Sequence, residues 1–246
     1  MSEMLFYKRV VALNDQAHAT LRVKPVTRFQ YASKSNSVPI LAAEFAECAR
    51  EYPIVFARGA HGTVPAVLLG LREHENLFVS SDGQWDARYI PAFVRRYPFV
   101  PGKDAQGQLV VCIDEEAPCF DRKDGEALFN EGKPTQQLDQ AIGFLRDFQQ
   151  GAQGTEAMAT RIDELGLLRD ADSVAQLNDG SQFRLSGLRV VDEAKLRALD
   201  QATVMDLFTS GTLGLIYAHM LSLSNLGRLV DRMGKVGTGG TAVRKH

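Results

Sequence analysis

Apolar residues change their rhythm near the middle of the chain, and the change predicts two kinds of structure. In the first half they come in short β-branched and aromatic runs. Val10–Leu13, Val23–Tyr31, Tyr52–Ala57, Val64–Leu71 and Leu109–Ile113 read as strands, the second weakened by Pro25. Pro65 stands near the start of its run, where proline is tolerated. Gly59 and Gly62 supply a turn between two of these runs, which predicts a hairpin. Pro39 opens a predicted helix over Ile40–Glu51, with Leu41, Phe45 and Cys48 on one face. The stretch from Asp114 to Thr135 is acidic and reads as irregular.

In the second half the spacing turns helical. Leu138, Ala141, Ile142, Leu145 and Phe148 mark an amphipathic helix, interrupted or ended by Gly151 and Gly154. A second helical stretch follows through Met158, Ile162 and Leu165. Val174–Leu177 and Phe183–Val191 flank Asn178-Asp179-Gly180, a strong hairpin signal. Asp192 is placed to cap a helix over Glu193–Leu199, and Thr203–Phe208 reads as helical. The last helix is expected over Thr212–Met233. Its two apolar stripes, Leu213/Ile216/Met220/Leu223 and Leu215/Leu226/Leu229, predict that it is largely buried. Gly234–His246 reads as a flexible tail. Hairpins and helices without βαβ alternation predict an α+β fold of antiparallel hairpins with packed helices and a long buried C-terminal helix. One domain over residues 1–233 is expected, with a possible subdivision near 135.

One run stands apart. Trp85–Phe99 gathers aromatic, arginine and proline residues in a chain with only 8% aromatics. Pro91 suits the first turn of a short helix and Pro98 ends it at Tyr97. Phe93 and Tyr97 share a face, and a helix this short needs tertiary packing to hold it. Burial of Trp85, Phe93 and Tyr97 is therefore expected. Arg95 and Arg96 project about 100° apart, so at least one should reach solvent or an acidic partner. Two readings stay open. Arg88, Arg95 and Arg96 grip a phosphate or carboxylate lined by Tyr89 and Tyr97, or the arginines pair with the acidic segment that follows.

Composition narrows the function classes. A net charge of −2 gives no electrostatic case for nucleic acid. The apolar stretch Leu213–Leu223 is too short to span a membrane. The N-terminal residues show no signal-peptide pattern, and Cys48, Cys112 and Cys119 suit free thiols, so a cytoplasmic protein is expected. The spacing of Cys112 and Cys119, with His61 or His74 to complete a set, fits no common zinc site. Asp121–Glu126 places Lys123 where a calcium ligand belongs. No metal and no cofactor are therefore predicted. His219, with Ser222 three residues on, is either a core histidine or a general base. Gly211–Gly214 lacks the Gly-Lys-Ser/Thr ending of a phosphate loop.

Several segments carry a family resemblance: the Trp85–Phe99 run, Tyr52–Ala57, Leu109–Asp114 leading into acidic residues, Gly187–Leu196, and Gly211 through His219 to Leu226. In this order they resemble the SapC family of bacterial proteins. The resemblance implies surface-layer loci and neighbours such as TonB-dependent receptors, flavin-dependent halogenases and cupin-like proteins, but no established catalytic residues. It also brings a transporter-permease label, which the missing spanning helix disfavours here. The chain departs from the family's acidic Asp-Glu-Asp-Gly-Glu-Pro-Thr-like stretch with Asn130-Glu-Gly-Lys-Pro-Thr135, further weakening a metal site. The expectation is a cytoplasmic accessory or binding protein of uptake, surface-layer or peptide-modification machinery. The alternative is an enzyme acting on an amino-acid, peptide or glycan substrate. A surface-layer component is a third reading. The candidate site residues are Arg88, Tyr89, Arg95, Arg96, Tyr97 and His219. The expected ligand is a protein partner or a small anion, and the sequence fixes no oligomeric state.

Overall fold

Ile54, Val55 and Phe56 on one strand, and Ala66 and Val67 on the next, are at most 2% exposed. Strands buried on both faces read as continuous apolar runs, which is why this hairpin was legible. The computed structural model describes residues 5–238, apart from 61, 105, 172, 177–181 and 186.

The chain opens with β1 (Val10–Ala12), β2 (Arg22–Val23), β3 (Ser37–Pro39), α1 (Phe45–Cys48), β4 (Ile54–Gly59) and β5 (Gly62–Leu68). It continues through α2 (Ala92–Arg95), β6 (Phe99–Lys103), β7 (Leu109–Asp114), β8 (Phe120–Asp121), β9 (Glu126–Ala127), β10 (Phe129–Asn130) and β11 (Lys133–Pro134). The second half holds α3 (Gln136–Glu164), β12 (Leu168–Asp170), β13 (Ser173–Gln176), β14 (Gln182–Leu185), β15 (Leu188–Val191), α4 (Glu193–Arg197), α5 (Gln201–Thr209), α6 (Thr212–Ser222) and α7 (Asn225–Thr238).

The main sheet has the order β12-β15-β4-β5-β3, a second has β1-β7-β6, and a small third has β8-β2-β9. The pairings within them are antiparallel, with Ile54 opposite Val67 and Phe99 opposite Ile113. One cluster of buried apolar residues runs from Phe6 to Met233. The fold is α+β, built of antiparallel hairpins and packed helices.

Several expectations need correction. Of the Val23–Tyr31 run only Val23 pairs as a strand, in β2, and a 3-10 turn takes Gln30–Ala32. Pro39 closes β3 opposite Ala66 instead of opening a helix, and the helix expected over Ile40–Glu51 shrinks to a 3-10 turn at Ala42–Glu44 followed by α1. Part of the acidic stretch forms the short ladders of β8 to β11.

Gly151 and Gly154 do not break α3, which runs unbroken for 29 residues. Packing outweighs the local cost of a helical glycine, about 1 kcal/mol. At Gly151 the missing side chain serves that packing, since an added Cβ would meet Leu41 Cδ1 at 3.0 Å. One turn later Thr155 Oγ1 donates to the Gly151 carbonyl at 2.7 Å and accepts the Ala42 N–H at 2.8 Å.

β13 and β14 pair as expected, while their Asn178–Gly180 turn lies outside the described residues. β15 leaves that hairpin and joins β12 and β4 in the main sheet. Asp192 caps α4 by accepting the Ala194 and Lys195 N–H groups. The long C-terminal helical segment is present, but it turns at Leu223–Ser224 between α6 and α7. The residues of both expected stripes are buried or half-buried against the core, while Tyr217 and Leu221, on neither stripe, are exposed. The predicted tail is helical as far as Thr238, and residues 239–246 lie outside the described part.

Candidate functional site

The Trp85–Phe99 segment is fixed at both ends by buried polar groups. Glu44, only 5% exposed, takes the Leu41 N–H on Oε2 at 2.8 Å. Its Oε1 accepts the Tyr89 hydroxyl at 2.8 Å and the Ala92 N–H at 2.7 Å. One carboxylate thus closes the turn before α1 and caps α2. Trp85 Nε1 donates to the Tyr52 hydroxyl at 2.8 Å, and that hydroxyl donates to the Tyr89 carbonyl. The Arg88 N–H sits between the two Glu51 oxygens at 3.0 and 2.9 Å.

Phe93 and Tyr97 are buried at 3% and 5% exposure, while Trp85 is half-buried against the core. Tyr97 stacks on Tyr31 with ring centroids 3.9 Å apart. Its hydroxyl reaches Asp114 Oδ2 at 3.4 Å, and fully buried Asp114 also takes the Lys8 and Arg9 N–H groups. Burial first, then Asp114, raises the Tyr97 pKa. The Tyr97–Pro98 peptide is cis.

The two adjacent arginines part company. Arg96 is 2% exposed, its guanidinium 3.9 Å from the Phe93 ring centroid, 5.1 Å from Phe148 and 5.9 Å from Tyr7. Arg95 is exposed, and its Nε donates to the Ile90 carbonyl at 2.9 Å. Its guanidinium lies 5.7 Å from the Tyr89 ring centroid and 5.4 Å from that of Phe144. Arg88 is exposed as well. Among the described residues, neither Arg88 nor Arg95 forms a salt bridge, so neither pairs with the acidic segment that follows. Burial, then the Glu44 carboxylate, raises the Tyr89 pKa.

His219 lies away from this cluster and is fully buried. Its Nδ1 is 2.9 Å from the Ile54 carbonyl and its Nε2 accepts the Val191 N–H at 3.1 Å. That pairing fixes the neutral tautomer protonated on Nδ1, and burial lowers the pKa to about 4. A histidine with both ring nitrogens engaged has no lone pair left for a substrate proton. Ser222 is engaged too, accepting the Ile54 N–H and donating to the His219 carbonyl.

Elsewhere, an open cavity of about 410 Å³ is lined by Arg58, Gly59, Gly62, Thr63, Asp163 and Arg189. There Arg189 grips Asp163 with Nη1 at 2.9 Å and Nη2 at 2.6 Å, and hydrogen bonds from Arg189 and Thr63 lower the Asp163 pKa to about 2. No group of three or more His, Cys, Asp or Glu residues suited to a metal exists among the described residues. His61, one of the zinc candidates, lies outside them. Cys48, Cys112 and Cys119 are free thiols. No helix among the described residues is long and apolar enough to cross a membrane.

Sequence reasoning missed Glu44 and Asp114. Both are acids at the edges of apolar runs, and most of their partners lie 45 or more residues away. No local signal marks them.

Fold and site define an α+β protein whose aromatic-arginine segment is held rigid at the surface. The family model for SapC matches residues 13–229, and the chain belongs to the SapC family. No curated protein and no solved structure matches it.

Proposed function

We propose that the chain is an accessory binding protein that recognises an anionic group, on a protein partner or a small ligand, through Arg88, Tyr89 and Arg95. The Arg95 guanidinium carries this reading: it is exposed, steadied by two aromatic faces and a backbone carbonyl, and matched to no carboxylate among the described residues. Arginine binds carboxylate and phosphate through paired N–H groups, and a pre-ordered side chain loses less freedom on binding. The Arg88 and Tyr89 backbone is fixed by Glu51 and Tyr52, which supports the same assignment. The free thiols support a reducing, cytoplasmic setting. In this reading the protein serves the uptake, surface-layer or peptide-modification machinery that the family resemblance implies.

The test is the double variant Arg88→Ala/Arg95→Ala. Partners recovered from the native host by affinity capture are identified by mass spectrometry, and a glutamate-rich peptide and inorganic phosphate are titrated by NMR. The double variant is expected to lose the captured partner or the probe-induced shifts while melting within a few degrees of the parent. Unchanged capture and unchanged shifts would remove the segment from the functional account.

A further inference from the structure

The C-terminal helices carry a surface that the Trp85–Phe99 segment does not explain. Four of the five exposed large hydrophobic residues among those described lie on α5 and α6, which pack together: Met205 at 54%, Phe208 at 68%, Tyr217 at 52% and Leu221 at 73% exposure. From Leu207 to Gly227 the sequence contains no Asp, Glu, Lys or Arg. A solvated helix face normally carries charge, whereas the centre of a protein interface is depleted of it. The stripe on α6 also has relief. Gly214 is exposed, with no atom within 4 Å of where a Cβ would stand, and Tyr217 and Leu221 follow at helical spacing on the same side.

We infer that the α5–α6 face docks on the same face of a second copy of this chain, in a two-fold dimer. A two-fold contact requires a self-complementary surface. This face offers side chains that project and a glycine notch beside them, and it brings no like charges together. Of the charges bordering the uncharged stretch, Asp206 is paired within the chain with Arg161 at 3.0 Å, and Arg228 donates to the Arg50 carbonyl at 3.3 Å. Beyond the single Arg228 cation this leaves little charge at the edge to select a strongly charged partner. The four side chains present on the order of 400 Å². That forms the centre of the roughly 800 Å² per partner of a stable complex, the uncharged neighbours supplying the remainder.

Sedimentation equilibrium and light scattering of the whole chain over a range of concentrations test this. The parent is expected to be dimeric at micromolar concentration. Phe208→Asp and Leu221→Asp, both at exposed positions, should each weaken the dimer by roughly 100-fold or more while the circular dichroism and melting temperature stay near those of the parent. Leu221→Cys gives a second readout: mild oxidation should yield a disulfide-linked dimer. A parent that stays monomeric at about 100 μM overturns the inference, as does a dimer that survives both aspartate variants.

Discussion

His219 joins Ile54 to Val191 through its two ring nitrogens. The β15–β4 register sets Leu188 opposite Ala57 and Arg189 opposite Phe56. Continued by two residues, it would set Val191 opposite Ile54. There the imidazole stands in for the direct ladder bond. Ser222 Oγ accepts the Ile54 N–H at 2.9 Å, and Asn225 Nδ2 donates to the Ala49 and Tyr52 carbonyls. Side chains at the α6–α7 junction thus satisfy backbone groups leading into and along β4.

The neutral ring ties stability to pH. The unfolded histidine has its ordinary pKa of 6.5, and the folded one is lowered to about 4 by burial. Between those values the unfolded chain binds the extra proton, so stability rises with pH. The contribution is complete above about 6.5 and is lost as the pH falls toward about 4. At about 1.4 kcal/mol per unit, the loss is on the order of 3 kcal/mol. Urea denaturation across this window should show that slope in the parent and a flatter one in His219→Gln. Equal slopes in the two proteins would show that another group titrates.

Arg95 and Arg96 should separate cleanly by stability. Arg96 is buried against Phe93, Phe148 and Tyr7. Arg96→Ala forfeits that stacking and leaves a cavity, an expected cost of at least about 2 kcal/mol, or several degrees in melting temperature. Phe93→Ala, at a 3% exposed site, should cost roughly 3–5 kcal/mol. Arg95→Ala should melt almost with the parent. Thermal denaturation of the three variants decides the matter, and an Arg96→Ala protein as stable as the parent contradicts the packing role.

Glu44 gathers three donors from two separate stretches of chain. In Glu44→Ala, the Leu41 and Ala92 N–H groups and the Tyr89 hydroxyl lose their acceptor. Each buried unsatisfied donor costs about 1–3 kcal/mol, so a loss of about 3 kcal/mol or more is expected. Glu44→Gln keeps one acceptor oxygen and should fall between. Hydrogen exchange at the Ala92 amide gives the local readout, with protection expected to drop in Glu44→Ala before global unfolding. Retained protection would mean that water or another acceptor replaces the carboxylate.

What the sequence made legible follows the range of the forces involved. The β4–β5 hairpin, β7 and the Asp192 cap depend on neighbours within a few residues, and each is read correctly from residue type. The burial of Phe93 and Tyr97 follows from the shortness of their helix. The split between Arg95 and Arg96 was visible only as an angle. Which one turns inward depends on Phe148, far along the chain on α3. His219 was flagged from its apolar surroundings, but its bonds to β4 and β15 are contacts that periodicity does not encode. The two stripes expected to face the core do so, whereas Tyr217 and Leu221 lie outside both stripes and are exposed.

The unbroken α3 marks the same limit and yields the last prediction. Gly151 and Gly154 carry a helix-breaking signal, yet the helix passes both. At Gly154 no atom lies within 4 Å of an added Cβ, whereas at Gly151 Leu41 Cδ1 would stand 3.0 Å away. Alanine at either position should lower the conformational freedom of the unfolded chain and favour the helix by up to about 1 kcal/mol. Gly154→Ala should realise most of that gain, raising the melting temperature by about 2–4 °C for a chain of this size. Gly151→Ala must push Leu41 aside, beside the bond from the Ala42 N–H to Thr155 Oγ1, so its gain should be smaller or reversed. Thermal melts of the two variants side by side test the assignment. Equal stabilisation would mean that Leu41 yields freely. A destabilised Gly154→Ala would contradict both the continuous helix and the open space beside it.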